Sequence, residues 1–183
     1  MMRAIAILVS CAAIGAASAQ AGPAAAASTT ARVEVAFTPG DDVSGLIVRR
    51  IRQARSRIQI QAYLFTDRAI ANALLAARKR AIEVEIIGDA AQHRAGGLPF
   101  LAALDRAGAR VYLNGTLAAS HNKIVIVDGD RDTAQVLTGS YNFTRAAQSK
   151  NAENVVMISG NRAVTDRFVD NFDHHRSQST PWP

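Results

Sequence analysis

"SHNKIVIVDGDRDTAQVLTGSYNFT", residues 120–144, is the stretch whose reading decides the fold. An apolar run, Ile124 to Val127, has His121 and Lys123 at its start, and a second short apolar run ends in Gly139-Ser140-Tyr141-Asn142. In a strand, residues two apart share a face, so His121 and Lys123 point the same way, and so do Ser140 and Asn142. "DGDRD", 128–132, has the composition of a turn between antiparallel strands. Pairing 124–127 with about 134–138 would bring both polar pairs to one end of the hairpin, beside a buried sheet.

Outward from this hairpin, strand-like and helix-like segments alternate. "RVEVAF", "RIQIQAYLF", "IEVEIIGD", "RVYL" and "AENVVMIS" read as strands. "TPGDDVSGLIVRRIRQAR" carries Val43, Leu46, Ile47, Ile51 and Ala54 at helical spacing; "TDRAIANALLAARKR", "GLPFLAALDRAG" and "NRAVTDRFVDNFDHHRSQ" are further helices. Strands alternating with helices imply an α/β layered domain with a mostly parallel or mixed sheet. There is no internal repeat, so the His-x-Lys pattern occurs once.

The chain has 183 residues, 49% apolar and 20% charged, enough for one domain with a full core. Its start reads differently. "MMR", the apolar run "AIAILVSCAAIGAA" and the small-x-small "ASA" form the layout of a secretory signal peptide, residues 1–19, cleaved after Ala19. A buried or membrane-anchoring N-terminal helix and an early lipoprotein box at "LVSC" are the alternatives. Residues 20–31 read as a flexible linker, 32–178 as the domain and 179–183 as a frayed tail. The expected location is periplasmic or extracellular, with no stable membrane anchor. Cys11, the one cysteine, lies in the signal segment, so the processed chain would hold no disulfide. Losing Arg3 leaves 20 basic against 15 acidic residues, a net +5, which favours anionic partners such as nucleic acid or acidic lipid.

An imidazole, an ammonium, a hydroxyl and an amide suit a phosphodiester. The imidazole can attack phosphorus or carry a proton near neutral pH, and Lys and Asn can hold non-bridging oxygens. No Asp/Glu/His set at metal-ligand spacing lies beside them, so no cofactor or metal is expected. Each of the four alone would suit a satisfied polar strand end; their convergence points to a site.

These residues carry a family resemblance. "HNKIVIVD" matches the His-x-Lys-x4-Asp signature of the phospholipase D superfamily, and "GSYNFT" its Gly-Ser-x-Asn element. The chain resembles the small secreted bacterial endonucleases of that superfamily over about residues 32–172. The resemblance implies a mixed β-sheet flanked by helices on both faces. By position it makes His121 the nucleophile, Lys123 and Asn142 phosphate binders, and Ser140 a supporting group. Asp128 and Gly139 become structural motif residues, and Glu153 orients the His. Ten residues separate Asp128 from Gly139, where the family commonly has six; the longer turn "GDRDTA" absorbs four and keeps the faces.

The implied chemistry needs two imidazoles, a nucleophile and an acid for the leaving oxygen. His93, His174 and His175 lie outside the motif. The resemblance supplies the second imidazole through a homodimer that shares one site; a monomer borrowing His175 is the alternative. The expected activity is metal-independent hydrolysis of DNA or RNA through a phosphohistidine. A phospholipid (cardiolipin-type) phosphodiesterase and a non-catalytic nucleic-acid-binding module are the competing readings. "RRIRQARSR" (49–57) and "ARKR" (77–80) are candidate phosphate-contact clusters, or the solvated faces of two helices.

Overall fold

The computed structural model describes residues 30–183; the expected signal segment and all but the end of the linker lie outside the described residues. β1 (Arg32–Thr38), α1 (Val43–Gln53), β2 (Arg57–Ala62), α2 (Arg68–Lys79), β3 (Glu83–Asp89), the short α3 (Ala90–Arg94), α4 (Leu101–Arg106) and β4 (Arg110–Asn114) come first. The hairpin of β5 (Lys123–Val127) and β6 (Gln135–Gly139) follows, then the short α5 (Arg145–Ser149), β7 (Glu153–Ser159), α6 (Arg162–Ser177) and β8 (Thr180–Pro181).

Local chemistry sets the helix starts. The Asp42, Asp67, Thr144 and Asn161 side chains each accept from a backbone N–H of the first turn of α1, α2, α5 and α6, meeting donors that a helix cannot satisfy internally. The apolar faces then decide the packing. Val43, Ile47, Val48 and Ile51 of α1, and Ile70, Leu74 and Ala77 of α2, are buried against one face of the sheet. Truncating a side chain such as Ile51 to alanine would cost about 2–5 kcal/mol.

All eight strands form one mixed sheet in the order β1-β7-β6-β5-β2-β3-β4-β8. β2, β3 and β4 pair in parallel, and every other neighbouring pair is antiparallel. The main core joins α1, α2 and α4 to one face; α6 packs on the other, where Phe172 meets Ile87, Ile124, Ile126 and Val136. The sheet is therefore mixed and covered by helices on both faces, as expected. β5 lies near its middle and is buried throughout, Val125 and Val127 facing the main core and Ile124 and Ile126 facing α6.

One helix cannot cover eight strands. On the α6 side the edge strand β1 presents Val33, Val35 and Phe37, each more than half exposed (57%, 59% and 55%). Register places Val35 on the same face as Val156, Thr138 and Ile124.

One expectation needs correction. Residues 179–183 do not fray: Leu113 and Tyr112 of β4 pair with Thr180 and Pro181, and the Trp182 N–H donates to the Val111 carbonyl at 2.9 Å. The free edge of β4 and the space beside His93, whose ring centroid lies 4.7 Å from that of Trp182, hold the tail. Of the two readings left open for the basic clusters, their position favours the solvated helix faces. α1 and α2 run away from the edge with the polar strand ends, so Arg49–Arg57 and Arg78–Arg80 lie at the far one. There Arg80 donates to the Ile51 carbonyl and Arg78 to the Ile82 carbonyl, and basic groups favour helix C-termini.

Candidate active site

One edge of the sheet collects the ends of β1, β2, β3 and β6 and the starts of β5 and β7, because Ala62 pairs with Lys123, Thr38 with Glu153 and Gly139 with Val155. His121, Lys123, Ser140, Asn142 and Glu153 all lie along it. The hairpin register matches the expectation: Ile124 faces Thr138 and Val127 faces Gln135.

Lys123 is 6% exposed, and its ammonium is the hub of the site. Nζ lies 2.8 Å from His121 Nδ1 and 3.1 Å from Nε2, and donates to the His121 carbonyl at 2.6 Å. Lying almost equally close to both ring nitrogens, the ammonium sits against the imidazole ring, and which nitrogen it meets as acceptor depends on the tautomer. Burial lowers the Lys123 pKa below its ordinary value, and the Glu153 carboxylate pushes the other way. The Tyr63 ring completes the enclosure, 4.3 Å from the imidazole and 5.0 Å from Nζ.

Asn142 reaches the site by alternation. Tyr141 and Phe143 are buried inward while Ser140 and Asn142 face outward. The loop after β2 clips this segment in place, since Thr66 and Asp67 N–H both donate to the Phe143 carbonyl at 2.9 Å. Asn142 Oδ1 is buried and has no hydrogen-bond partner among the described residues. A buried polar atom left open in this way awaits a ligand or water. Because only a hydrogen-bond network fixes which end of an amide faces where, the group can offer its NH₂ to a phosphate oxygen.

Within the chain, Glu153 does not touch His121. Its carboxylate accepts from Ser140 Oγ at 2.6 Å and from Asn151 Nδ2 at 2.9 Å, and the Lys123 ammonium occupies the position beside the ring. Within one chain the expected His-orienting contact is not among the hydrogen bonds of Glu153, and its carboxylate acts electrostatically on Lys123. Ser140 is a connector: its Oγ also accepts from the Asn154 N–H at 3.1 Å. Gly139 is required sterically, because a Cβ there would collide with the Asn154 carbonyl.

Asp128 sits at the opposite end of β5, away from the chemistry. Its carboxylate accepts from the Arg55 N–H at 2.9 Å, the Ser56 N–H at 2.8 Å and Ser56 Oγ at 3.1 Å. It pins the β5–β6 turn to the chain entering β2. The four extra turn residues form two successive tight turns, Arg131 N–H to Asp128 carbonyl and Ala134 N–H to Arg131 carbonyl.

Two site residues escaped sequence reasoning. Asp89, 2% exposed, accepts from the Gln92 N–H and, through its second oxygen, from the Ser120 N–H, each at 2.7 Å. It thereby fixes the residue before His121. Gln92 in turn donates to the Tyr63 hydroxyl at 2.9 Å. Neither Tyr63 nor Asp89 lies in a motif; the only signal was their place at strand ends that the register brings beside β5. The other histidines have other surroundings: His93 meets Trp182 edge-on, and His175 lies in the last turn of α6, its pKa lowered by burial and then by His174. Among the described residues no three His, Cys, Asp or Glu side chains converge to hold a metal ion.

The fold is an α/β layered domain, and this edge gathers groups that suit a phosphodiester. Comparison with known proteins places it. Residues 47–176 match the family model described as "Cardiolipin synthase, PLD-like domain", and the chain belongs to the phospholipase D superfamily, whose members are phosphodiesterases. It is 32% identical to a phospholipase D of Rickettsia felis over 148 residues, covering 81% of this chain and 71% of that one. It is 29% identical to the mitochondrial cardiolipin hydrolase of Xenopus tropicalis over 130 residues, 71% of this chain and 59% of that one. The crystal structure of Nuc, a phospholipase D family member from Salmonella typhimurium, superposes with a TM-score of 0.75 at 29% identity, over 84% of this chain and 99% of that one. NucT from Helicobacter pylori gives 0.75 at 22% identity, over 84% and 100%.

Proposed function

We propose that this chain is an exported, metal-independent endonuclease that hydrolyses DNA or RNA through a phosphohistidine, at a site completed by two copies of the chain. The observation that carries this reading is the His121–Lys123 contact beside the open Asn142 amide. A phosphate entering there meets a nucleophile, a cation and a free donor.

In the first step, His121 of one copy bonds to phosphorus and the P–O bond to the leaving oxygen breaks. The protonated His121 of the partner gives that oxygen its proton. In the second step the partner imidazole takes a proton from water, which attacks phosphorus and releases His121. Two Lys123 and two Asn142 hold the non-bridging oxygens as charge develops. Two observations support the second copy. Each chain has one motif imidazole, and the uncovered row Val33, Val35 and Phe37 adjoins the catalytic edge, with Phe37 paired to Asn154. A two-fold axis there would bury that row and set identical strand ends face to face. Export is supported by the charge and apolar pattern of residues 1–19.

A second reading, a phosphodiesterase acting on a cardiolipin-type phospholipid, is favoured by the names of the relatives in Rickettsia and Xenopus. Against it, aromatic residues make up only 5% of the chain. No helix among the described residues is long and apolar enough to cross a membrane. Plasmid DNA and cardiolipin vesicles, assayed side by side in EDTA, separate the two. Nicking of the plasmid with intact vesicles is expected; the reverse result establishes the lipid reading. Quenching into alkaline denaturant during turnover, which preserves the acid-labile P–N bond, should trap label on His121; failure to trap any, with binding intact and no product formed, would indicate a non-catalytic module. For the shared site, wild-type chains are exchanged with excess His121→Ala chains. Activity per wild-type chain should fall, and an unchanged value after proven exchange rules sharing out.

A further inference from the structure

The arginine-rich runs that stand out in the sequence lie on the far edge of the sheet, so other cations must serve the catalytic edge. We propose that Arg68, Arg145 and Lys150 form a track that holds successive backbone phosphates of a nucleic-acid strand as it leaves the site. This inference rests on the nucleic-acid reading above and deepens it.

The three residues line two neighbouring concavities. Arg145 is a shared wall between two concavities. One, of about 360 Å³, also includes Ser44, Thr66 and Arg68; the other, of about 430 Å³, includes Ser149 and Lys150. All three side chains are exposed, and none forms an ion pair among the described residues, although Arg32, Arg49, Arg50, Arg57, Arg110, Arg162 and Arg176 all do. The Arg68 guanidinium lies over the Phe100 ring, 5.7 Å from its centroid, which steadies it while leaving its N–H groups open. The one carboxylate in these concavities, Asp67, is turned inward. Its oxygens accept from the Ala69 and Ile70 N–H groups and from Ser44 Oγ.

The track is fastened to the catalytic residues. Asp67, just before Arg68, donates its N–H to the carbonyl of Phe143, the neighbour of Asn142. Gln148 ties the floor together: its Oε1 accepts from the Ser44 N–H and the Tyr141 hydroxyl, and its Nε2 donates to the Asp41 carbonyl. Lys150 stands three residues before Glu153. Exposed cations of this kind contribute affinity by releasing counterions and read no sequence. A line of them leading away from the nucleophile is useful to a polymer with phosphates in succession and not to a single headgroup.

The test compares two substrates in wild type and in the triple variant Arg68→Ala/Arg145→Ala/Lys150→Ala, each confirmed folded by circular dichroism. Single-stranded DNA reports the track, and bis(p-nitrophenyl) phosphate reports the site alone. The expected result is a kcat/KM for DNA that falls and loses salt sensitivity. The slope of log kcat/KM against log salt should shrink by about 0.7 for each lost contact, or about 2 for the triple variant. The small substrate should be turned over as by wild type. An unchanged DNA slope, or an equal loss on both substrates, overturns the track. If wild type cleaves the small substrate and cardiolipin vesicles but no DNA, the nucleic-acid reading falls and the track with it. Charge reversal at one position, Arg145→Glu, should weaken DNA cleavage more than Arg145→Ala; equal effects also count against a phosphate contact.

Discussion

Replacing Asp128 with alanine should cost the protein much of its stability while leaving its chemistry intact. The carboxylate is 4% exposed and takes hydrogen bonds from the Arg55 and Ser56 N–H groups and Ser56 Oγ. Hydrogen bonds to a charged group are worth about 1.5–3 kcal/mol each, but they are not additive and water can reach part of this turn, so their joint loss is taken as about 2–3 kcal/mol. The backbone adds to this. Asp128 has φ of +53°, a left-handed conformation that costs a residue with a Cβ about 1–2 kcal/mol and that alanine tolerates less well than Asp or Asn. Wild-type Asp already bears most of that strain, so only the difference adds to the mutation's cost, and the total of about 2.5–4 kcal/mol is a large share of the 5–15 kcal/mol that holds a typical domain folded. With a urea slope of about 2 kcal/mol per molar, the unfolding midpoint should drop by about 1.2–2 M. Asp128→Gly relieves the backbone and should be milder by about 1 kcal/mol; Asp128→Asn keeps one acceptor and should be mildest. The assay is urea unfolding by circular dichroism, with kcat on a chromogenic phosphodiester per folded molecule. A midpoint within about 0.3 M of wild type, or a well-folded variant with kcat lowered a hundredfold, would refute the assignment of Asp128 as a structural pin.

His121→Ala should leave a folded protein with less than about a tenth of wild-type turnover, because the nucleophile is gone; retained activity assigns the attack elsewhere. Lys123→Ala should lower kcat by about 10²–10³, the usual worth of a preorganised charge donor, and near-normal kcat removes that role. The lowered Lys123 pKa places the alkaline fall in activity below the ordinary lysine range, and Glu153→Gln, which removes the opposing carboxylate, should move it lower still; an unmoved limb denies the coupling. The same shift means that the unfolded chain binds this proton more tightly than the folded one, so stability attributable to Lys123 rises with pH between the two values. Activity should persist in EDTA, and loss restored by a divalent ion would point to a metal nuclease.

The hairpin was legible because its signals are local. Four consecutive apolar residues, a polar turn and a second short run are enough to set Ile124 opposite Thr138, and the cap and helix spacings around Asp42 and Asp67 are equally local. What stayed hidden depends on strand order. β2 lies against β5 across more than sixty residues of sequence, and only that pairing brings Tyr63 and Asp89 around His121. For the same reason the basic run 49–57 looked functional: its charge is visible in the sequence, but its direction away from the catalytic edge is not. The tail misled because two paired residues and one anchoring indole leave almost no pattern. The Glu153 assignment carried a residue but not its contacts, which depend on where the Lys123 ammonium settles.

The burial of β5 on both faces also bears on how the site can move. Its amides pair with strands on either side, between two cores. Hydrogen exchange at Val125 and Ile126 should therefore be limited by unfolding of the whole domain, while frayed and exposed segments exchange through small local openings. Lys123, the proposed phosphate-holding cation, is rooted in this strand, and the exposed His121 stands two residues before it with its ring against the ammonium. The proposed nucleophile is thus tied to a slow-breathing strand, and access for a bulky substrate has to come from its surroundings. The segment between β4 and Ser120, with Gly115 to Ala119 exposed, is the neighbour free to give way.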